Sequence, residues 1–316
     1  MNKHQWKQLL NYSRKDFTPI NELVDLSLVN IAREILNKEA DTVIGLTTGI
    51  SELDQKIGGI QSKDFIVIGG RPCMGKTSLA LHIVQHLSSD RKIPVVYFTV
   101  GQESEESIIR RLIALEVGAE SKKIVDTHLG GNRFFSGNIM NMDKEPLMPA
   151  TESVRKYNLI IDGTSDLSIS KLYEKCEKYK REHGIQLIIV DNIQSLFTNS
   201  VYYCNRNLKP DDVSKALKNM TCILDVPMMV FQNLERDIEG RSHHRPLPSD
   251  VQQFPYIVNE ADILIILYRE EYYNWDAKEE DKYIMELHIR KSNRGCGMGL
   301  ARWKWKYGEN METWRK

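Results

Sequence analysis

The apolar run Phe65-Ile-Val-Ile-Gly-Gly70 passes directly into Arg71-Pro-Cys-Met-Gly-Lys-Thr77, and a helix-forming stretch follows at residues 78–87. A strand, a Gly-x4-Gly-Lys-Thr loop and a helix in that order leave few folds open. The glycines let the backbone close around a phosphate. The start of the helix turns free N–H groups and the positive end of its dipole toward an anion. In such a loop Lys76 reaches the β- and γ-phosphates of a nucleoside triphosphate, and Thr77 ligates Mg²⁺. Gly70, Arg71, Pro72, Cys73, Met74, Gly75, Lys76, Thr77 and Ser78 are therefore expected to hold ATP with Mg²⁺.

The rest of the chain is patterned to surround that unit. Short apolar runs recur at residues 95–99, 159–162, 187–191, 228–231 and 263–267. Helical stretches lie at 104–117, 172–182 and 213–224. Alternation of this kind predicts an α/β fold with a mostly parallel sheet and helices on both faces. The tail differs: residues 283–290 and 300–307 alternate polar and apolar around Arg294-Gly-Cys-Gly-Met-Gly299, which predicts an antiparallel C-terminal hairpin. Ahead of the main domain, residues 1–17 are polar and basic and read as a mobile lead-in. Thr18-Pro19 then starts a helix with an apolar stripe at Val24, Leu28, Ile31 and Ile35. That stripe fits either a helix folded back on its own core or an arm that docks on a neighbouring subunit. The expected division is thus 1–17, an arm at 18–42, and one ATPase domain at 43–316.

Composition closes several alternatives. Lys+Arg and Asp+Glu both total 43, so any nucleic-acid surface must be local. The five cysteines, at 73, 176, 204, 222 and 296, have no zinc spacing and are odd in number. Together with the lack of a signal-peptide pattern, this predicts a cytoplasmic protein. The apolar runs are strand-sized, so no membrane partner is expected.

A second metal ligand should stand at a strand end. Both Asp162 and Asp191 close apolar strands, and spacing alone does not choose between them. Here the chain resembles the C-terminal RecA-like ATPase domain of DnaB-type replicative helicases, over about residues 18–310. Thr47-Thr-Gly-Ile-Ser-Glu-Leu-Asp54 and Gly58-Gly-Ile-Gln61 resemble that family's opening segment. Arg71-Pro-Cys-Met-Gly-Lys-Thr77 is close to its Arg-Pro-Ser-Met-Gly-Lys-Thr loop. Leu267-Tyr-Arg-Glu-Glu-Tyr-Tyr-Asn274 resembles its Tyr-Arg-Asp-Glu-Tyr-Tyr strand end. Asp191-Asn-Ile-Gln194 matches its Asp-Tyr-Leu-Gln, which favours Asp191 for the metal. The resemblance implies ATP hydrolysis coupled to movement on single-stranded DNA, in a hexameric ring that is joined through the helix at 18–38. Replication proteins are implied partners. The family's N-terminal primase-contacting domain has no counterpart, so docking through it is not expected if the chain is complete.

The departures from the family bear on turnover. An ungapped match of Ser-Leu-Glu-Met-Ser puts Gly101 at the catalytic glutamate, leaving Glu103 as a displaced base. Asn233 stands where a glutamine senses the γ-phosphate, with Gln232 beside it on the other strand face. The DNA-contacting Asp-Leu-Arg-Glu-Ser-Gly reads Asp250-Val-Gln-Gln-Phe-Pro255 and loses its arginine. The trans-acting Lys-x-Arg appears as Lys291-Ser-Asn-Arg294, with the arginine displaced by one residue. Two readings remain: a ring-forming helicase ATPase, or a helicase-like ATP-binding module with weak or no hydrolysis. For nucleic acid, Arg241 and Arg245 in one loop, and Arg206 and Lys209 beside Tyr202-Tyr203, are the candidate contacts. In the hairpin, Arg302, Lys304 and Lys306 are expected outside and the aromatics inside.

Overall fold

A computed structural model describes residues 43–101, 103–117, 147–203, 205, 207–241, 243–251, 254–274, 276, 278, 281–294 and 298–304, together with Ile20, Val24 and Leu28. In chain order come α1 (Ser51–Ile57), β1 (Phe65–Gly70), α2 (Lys76–Gln85), β2 (Val95–Thr99), α3 (Glu105–Val117), α4 (Leu147–Arg155), β3 (Leu159–Asp162) and α5 (Ile169–His183). Then follow β4 (Leu187–Asp191), α6 (Ile193–Tyr203), α7 (Pro210–Leu224), β5 (Met228–Asn233), α8 (Ile257–Glu260), β6 (Ile263–Tyr268), α9 (Glu270–Tyr273), β7 (Ile284–Ser292) and β8 (Gly299–Lys304).

The strands form one eight-stranded sheet in the order β3-β2-β4-β5-β1-β6-β7-β8. The first six run parallel, and β7 and β8 close one edge antiparallel. Strands buried on both faces need no polar alternation, which is why β1, β2 and β6 are continuous apolar runs. Successive residues of β1 feed opposite cores. Phe65 and Val67 pack with α5, α6 and α7, while Ile66 and Ile68 pack with α2 and α3. Each such side chain, fully buried, stabilises the fold by ~1.5–3 kcal/mol.

Local signals set the helix ends. The Ser168 side chain accepts from the Lys171 N–H at the start of α5, and Gly184 ends that helix in the left-handed region at φ 62°. Pro210 opens α7 at a position where no N–H is required. The hairpin forms as expected through residue 304, with Arg302 exposed and Trp303 buried; Lys306 lies outside the described residues. Of the N-terminal arm, Ile20, Val24 and Leu28 are helical and exposed; the rest of 1–42 lies outside the described residues. The pattern reading missed α6. Its apolar residues Ile193 and Leu196 follow so closely on β4 that periodicity merges the two.

Parallel strands put their C-terminal ends on one edge. Register sets Gly70 against Asn233 and Thr99 against Asp191, so the ends of β1, β5, β2 and β4 form a single ledge. In open α/β sheets ligands bind outside such a ledge.

Candidate nucleotide site

The loop after β1 turns back through two left-handed residues, Cys73 at φ 64° and Gly75 at φ 88°, before α2 begins. Glycine takes that conformation without cost, and at residue 70 it also permits close approach. A Cβ on Gly70 would lie 3.3 Å from Leu267 Cβ and 3.4 Å from Lys76 Cγ. Lys76 folds into the loop. Its Nζ donates to the Gly70 carbonyl at 2.9 Å and to the Arg71 carbonyl at 3.0 Å. Burial pushes its pKa down to about 8, against the pull of Asp191.

Thr77, on the first turn of α2, donates to Asp191 Oδ2 at 2.7 Å, across the ledge from β4. Tyr97, inside β2, donates to the same oxygen at 2.9 Å. Burial pushes the Asp191 carboxyl up, while these two donors pull it down. A hydroxyl and a carboxylate at a helix N-terminus are hard oxygen donors of the kind Mg²⁺ takes alongside phosphate oxygens. The donor set therefore fits Mg²⁺, with Thr77 and Asp191 as its holders, and fits ATP, with Lys76 and the loop amides toward its phosphates. Asp162 is engaged differently. It accepts from Lys175 at 2.7 Å, Tyr179 at 2.8 Å and Thr164 at 2.6 Å, at the end of edge strand β3.

After β2 the chain turns at Gly101, whose φ is 70° and whose absent side chain would meet nothing within 4 Å. Gln102 lies outside the described residues. Glu103 is tied to α3: its Oε1 accepts from Arg111 Nη1 at 2.7 Å. Arg111 Nη2 also donates to Ser78 Oγ at 3.1 Å, so one guanidinium joins the start of α2 to the candidate base. Ser104 caps α3, its Oγ accepting from the Ser107 N–H at 3.2 Å.

At the end of β5, Gln194 grips Asn233 by its backbone. Its amide donates to the Asn233 carbonyl at 3.0 Å, and its oxygen accepts the Asn233 N–H at 3.3 Å. Gln232 is buried, and its Oε1 finds no partner among the described residues. Arg71 turns away from the loop to Glu239, at 2.6 Å, and to the Leu234 carbonyl, at 2.8 Å. Arg269, buried at the end of β6, reaches the Cys73 carbonyl at 3.4 Å and pairs with Glu271.

The basic candidates are less open than their sequence suggests. Arg241 makes a two-pronged pair with buried Asp250, one prong being Nη1 to Oδ2 at 2.9 Å. Arg245 bonds Glu286 at 3.0 Å and lies over the Tyr268 ring at 4.8 Å. Burial would raise the Glu286 carboxyl, but bonds from His288 and Arg245 hold it down at about 2. Lys209 is exposed at the cap of α7, beside the exposed tyrosines 202 and 203 at the end of α6; Arg206 lies outside the described residues. Lys291 and Arg294 occupy the far end of the sheet. Lys291 faces Leu264, near the start of β6, and its Nζ donates to the carbonyls of Val258 and Asn259 at 3.0 and 2.7 Å. Arg294 pairs with Asp64 and donates to the Ile57 carbonyl at 2.9 Å. Neither residue is on the ledge that carries Lys76.

The sequence reading missed Tyr97, Arg111 and Gln194 as parts of the site. Gln194 stood within a quoted motif. Tyr97 and Arg111 carry no motif, and only strand register and helix phase bring them in.

Among the described residues no cluster of metal-binding side chains stands apart, and no helix is long and apolar enough to cross a membrane. Comparison with known proteins is consistent across sequence and structure. A family model for the DnaB-like helicase C terminal domain matches residues 45–310. Replicative DNA helicase DnaB of Geobacillus stearothermophilus is 29% identical over 279 residues, which cover 88% of this chain and 58% of that protein. Replicative DNA helicase DnaB of Haemophilus influenzae is 30% identical over 257 residues, 80% of this chain and 52% of that protein. The chain thus spans about half to three-fifths of these relatives. A solved structure described as an ATPase domain superposes with a TM-score of 0.76 at 25% identity, covering 92% of this chain and 99% of the other. A DnaB-like replicative helicase, solved with attention to its interactions with primase, gives a TM-score of 0.72 at 26% identity, covering 93% and 67%.

Proposed function

Because the chain belongs to the DnaB-like helicase C-terminal domain family, we propose that it binds ATP with Mg²⁺ and serves as the motor of a replicative DNA helicase. The observation that supports this most is the pairing of Thr77 with Asp191 beside a buried Lys76. When bound, Mg·ATP supplies the phosphoanhydride to be broken. Lys76 would give up its loop carbonyls for β/γ-phosphate oxygens, and Thr77 and Asp191 would hold the metal. Glu103 would take the proton of the attacking water, once freed from Arg111. Lys291 and Arg294, remote from their own loop, would act on a neighbour's nucleotide in a ring of six, joined through the helix at 18–38. Single-stranded DNA would pass along the segments that follow α6 and β5, where Lys209, Arg206, Arg241 and Arg245 lie.

A second reading, an ATP-holding ring or regulatory module with little hydrolysis, draws on the Ser104 cap. If the family's Ser-Leu-Glu-Met-Ser is registered on that serine, the glutamate's slot falls on Gln102 rather than Gly101. An amide there could orient a water but not deprotonate it. Steady-state ATPase with and without single-stranded DNA separates the two. The motor is supported by DNA-stimulated turnover that collapses in Glu103→Gln. Tight nucleotide binding without turnover, regained in Gln102→Glu, would sink the motor and leave the module.

A further inference from the structure

Tyr97 is fully buried in the middle of β2, within the apolar cluster that includes Ile189, Leu112 and Leu79. Packing in such a wall calls for a phenyl ring and gains nothing from a hydroxyl, which costs free energy when buried unless it is bonded. Here the hydroxyl is bonded, and to one atom only among the contacts described: Asp191 Oδ2, at 2.9 Å. The register explains the reach. Tyr97 lies opposite Ile189, two residues before Asp191, so ring and carboxylate project from the same face of neighbouring strands. Thr77 donates to the same oxygen at 2.7 Å. Two donors converging on Oδ2 fix the plane of the carboxylate. They turn Oδ1, free of these two bonds, in a set direction. Thr77 belongs to the phosphate loop, which must rearrange around a nucleotide, whereas Tyr97 sits in the rigid sheet.

We propose that Tyr97 is a positioning residue for the divalent metal: its hydroxyl holds Asp191 in the orientation that receives Mg²⁺. This rests on the Mg·ATP reading and gives it a part that lies outside every motif. Removing the hydroxyl while keeping the ring isolates the role, because outer-shell partners of metal-binding carboxylates act through orientation.

The test is Tyr97→Phe, with binding of a fluorescent ATP analogue followed as Mg²⁺ is titrated from an EDTA-treated start. The half-saturating Mg²⁺ concentration should rise by about 10-fold. Analogue affinity in EDTA and the melting temperature should stay near wild type. An unchanged Mg²⁺ requirement would overturn the proposal. So would a parallel loss of metal-free binding and melting temperature, which would mark Tyr97 as a packing residue only. Asp191→Asn and the double variant complete a cycle: the Tyr97→Phe effect should vanish once Asp191→Asn is present, and additive effects would overturn the proposal. Should Asp191→Asn alone leave the Mg²⁺ requirement unchanged, it is the Mg·ATP reading that fails, and the role of Tyr97 fails with it.

Discussion

Neighbouring parts of one ledge treat charge in opposite ways. At the ends of β1 and β4, Lys76 is satisfied by two carbonyls of its own loop, and Asp191 by two hydroxyls. At the ends of β5 and β6, Arg241, Arg245 and Arg269 each pair with a largely enclosed carboxylate: Asp250, Glu286 and Glu271. Neutral partners can be exchanged for a phosphate or a metal at little cost. A buried carboxylate cannot be left unpaired so cheaply. The first region is therefore built to change partners, and the second to stay put as a wall around it. Arg241 and Arg245 meet a nucleic acid only by leaving those carboxylates, whereas exposed Lys209 needs no such exchange.

The contrast is most exposed at Asp250. It is buried and takes both prongs of Arg241 as well as the Leu247 N–H, at 2.6 Å. Asp250→Ala should destabilise the protein by about 3–5 kcal/mol, since it removes the buried carboxylate that both Arg241 and the Leu247 N–H bond to. Urea unfolding measures this. Nucleotide affinity at low urea should be little changed. A loss below about 1 kcal/mol, the range of exposed pairs, would mean that the wall is an ordinary solvated surface.

Lys76→Ala should show the reverse pattern. Nucleotide affinity should fall by about 100-fold, roughly 2.8 kcal/mol. Stability should hold or rise, because a costly buried ammonium is gone. Titration with a fluorescent nucleotide and urea unfolding of the same variant give both numbers. A stability loss as large as the binding loss would show that Lys76 is a structural member of the loop, and the contrast between the two regions would fall.

Much of this is legible in the sequence, because the strongest signals are local. Gly70, Gly75, Lys76 and Thr77 act within a few residues, so their spacing in sequence is their spacing in space. The parallel sheet was legible for a similar reason, since burial on both faces leaves a continuous apolar run. What sequence could not reach depends on register and helix phase. Tyr97 and Asp191 meet across two strands 94 residues apart in the chain, and Arg111 meets Glu103 only because α3 starts at its Ser104 cap. The basic loops show the same limit from the other side. Arg241 and Arg245 read as a free cationic patch because the carboxylates that take them, Asp250 and Glu286, enter from other segments. Charge pattern shows where a cation is, and only the fold shows whether it is already engaged.

The smallest effect tests how firmly α2 is held from behind. His82, on α2, lies largely buried beside Gly49 and packs against Trp303 of β8 with ring centroids 4.9 Å apart. Burial depresses its pKa from 6.5 to about 4. The folded state thus binds the proton less readily than the unfolded chain does. The stability at stake is fully present above pH 6.5 and is lost as pH falls from there toward 4. Asp54 runs the other way. Burial raises its pKa from 3.8 to about 6, so its carboxylate weighs on the fold as pH rises through that range. Wild-type pH dependence alone therefore mixes two opposed effects, and a comparison with His82→Gln separates them. Between about pH 7 and 5, wild type should lose about 2 kcal/mol relative to the variant. Urea unfolding at the two pH values measures the difference. Parallel behaviour of the two proteins would mean that His82 is hydrated and that the rear face of α2 is looser than the packing on Trp303 implies.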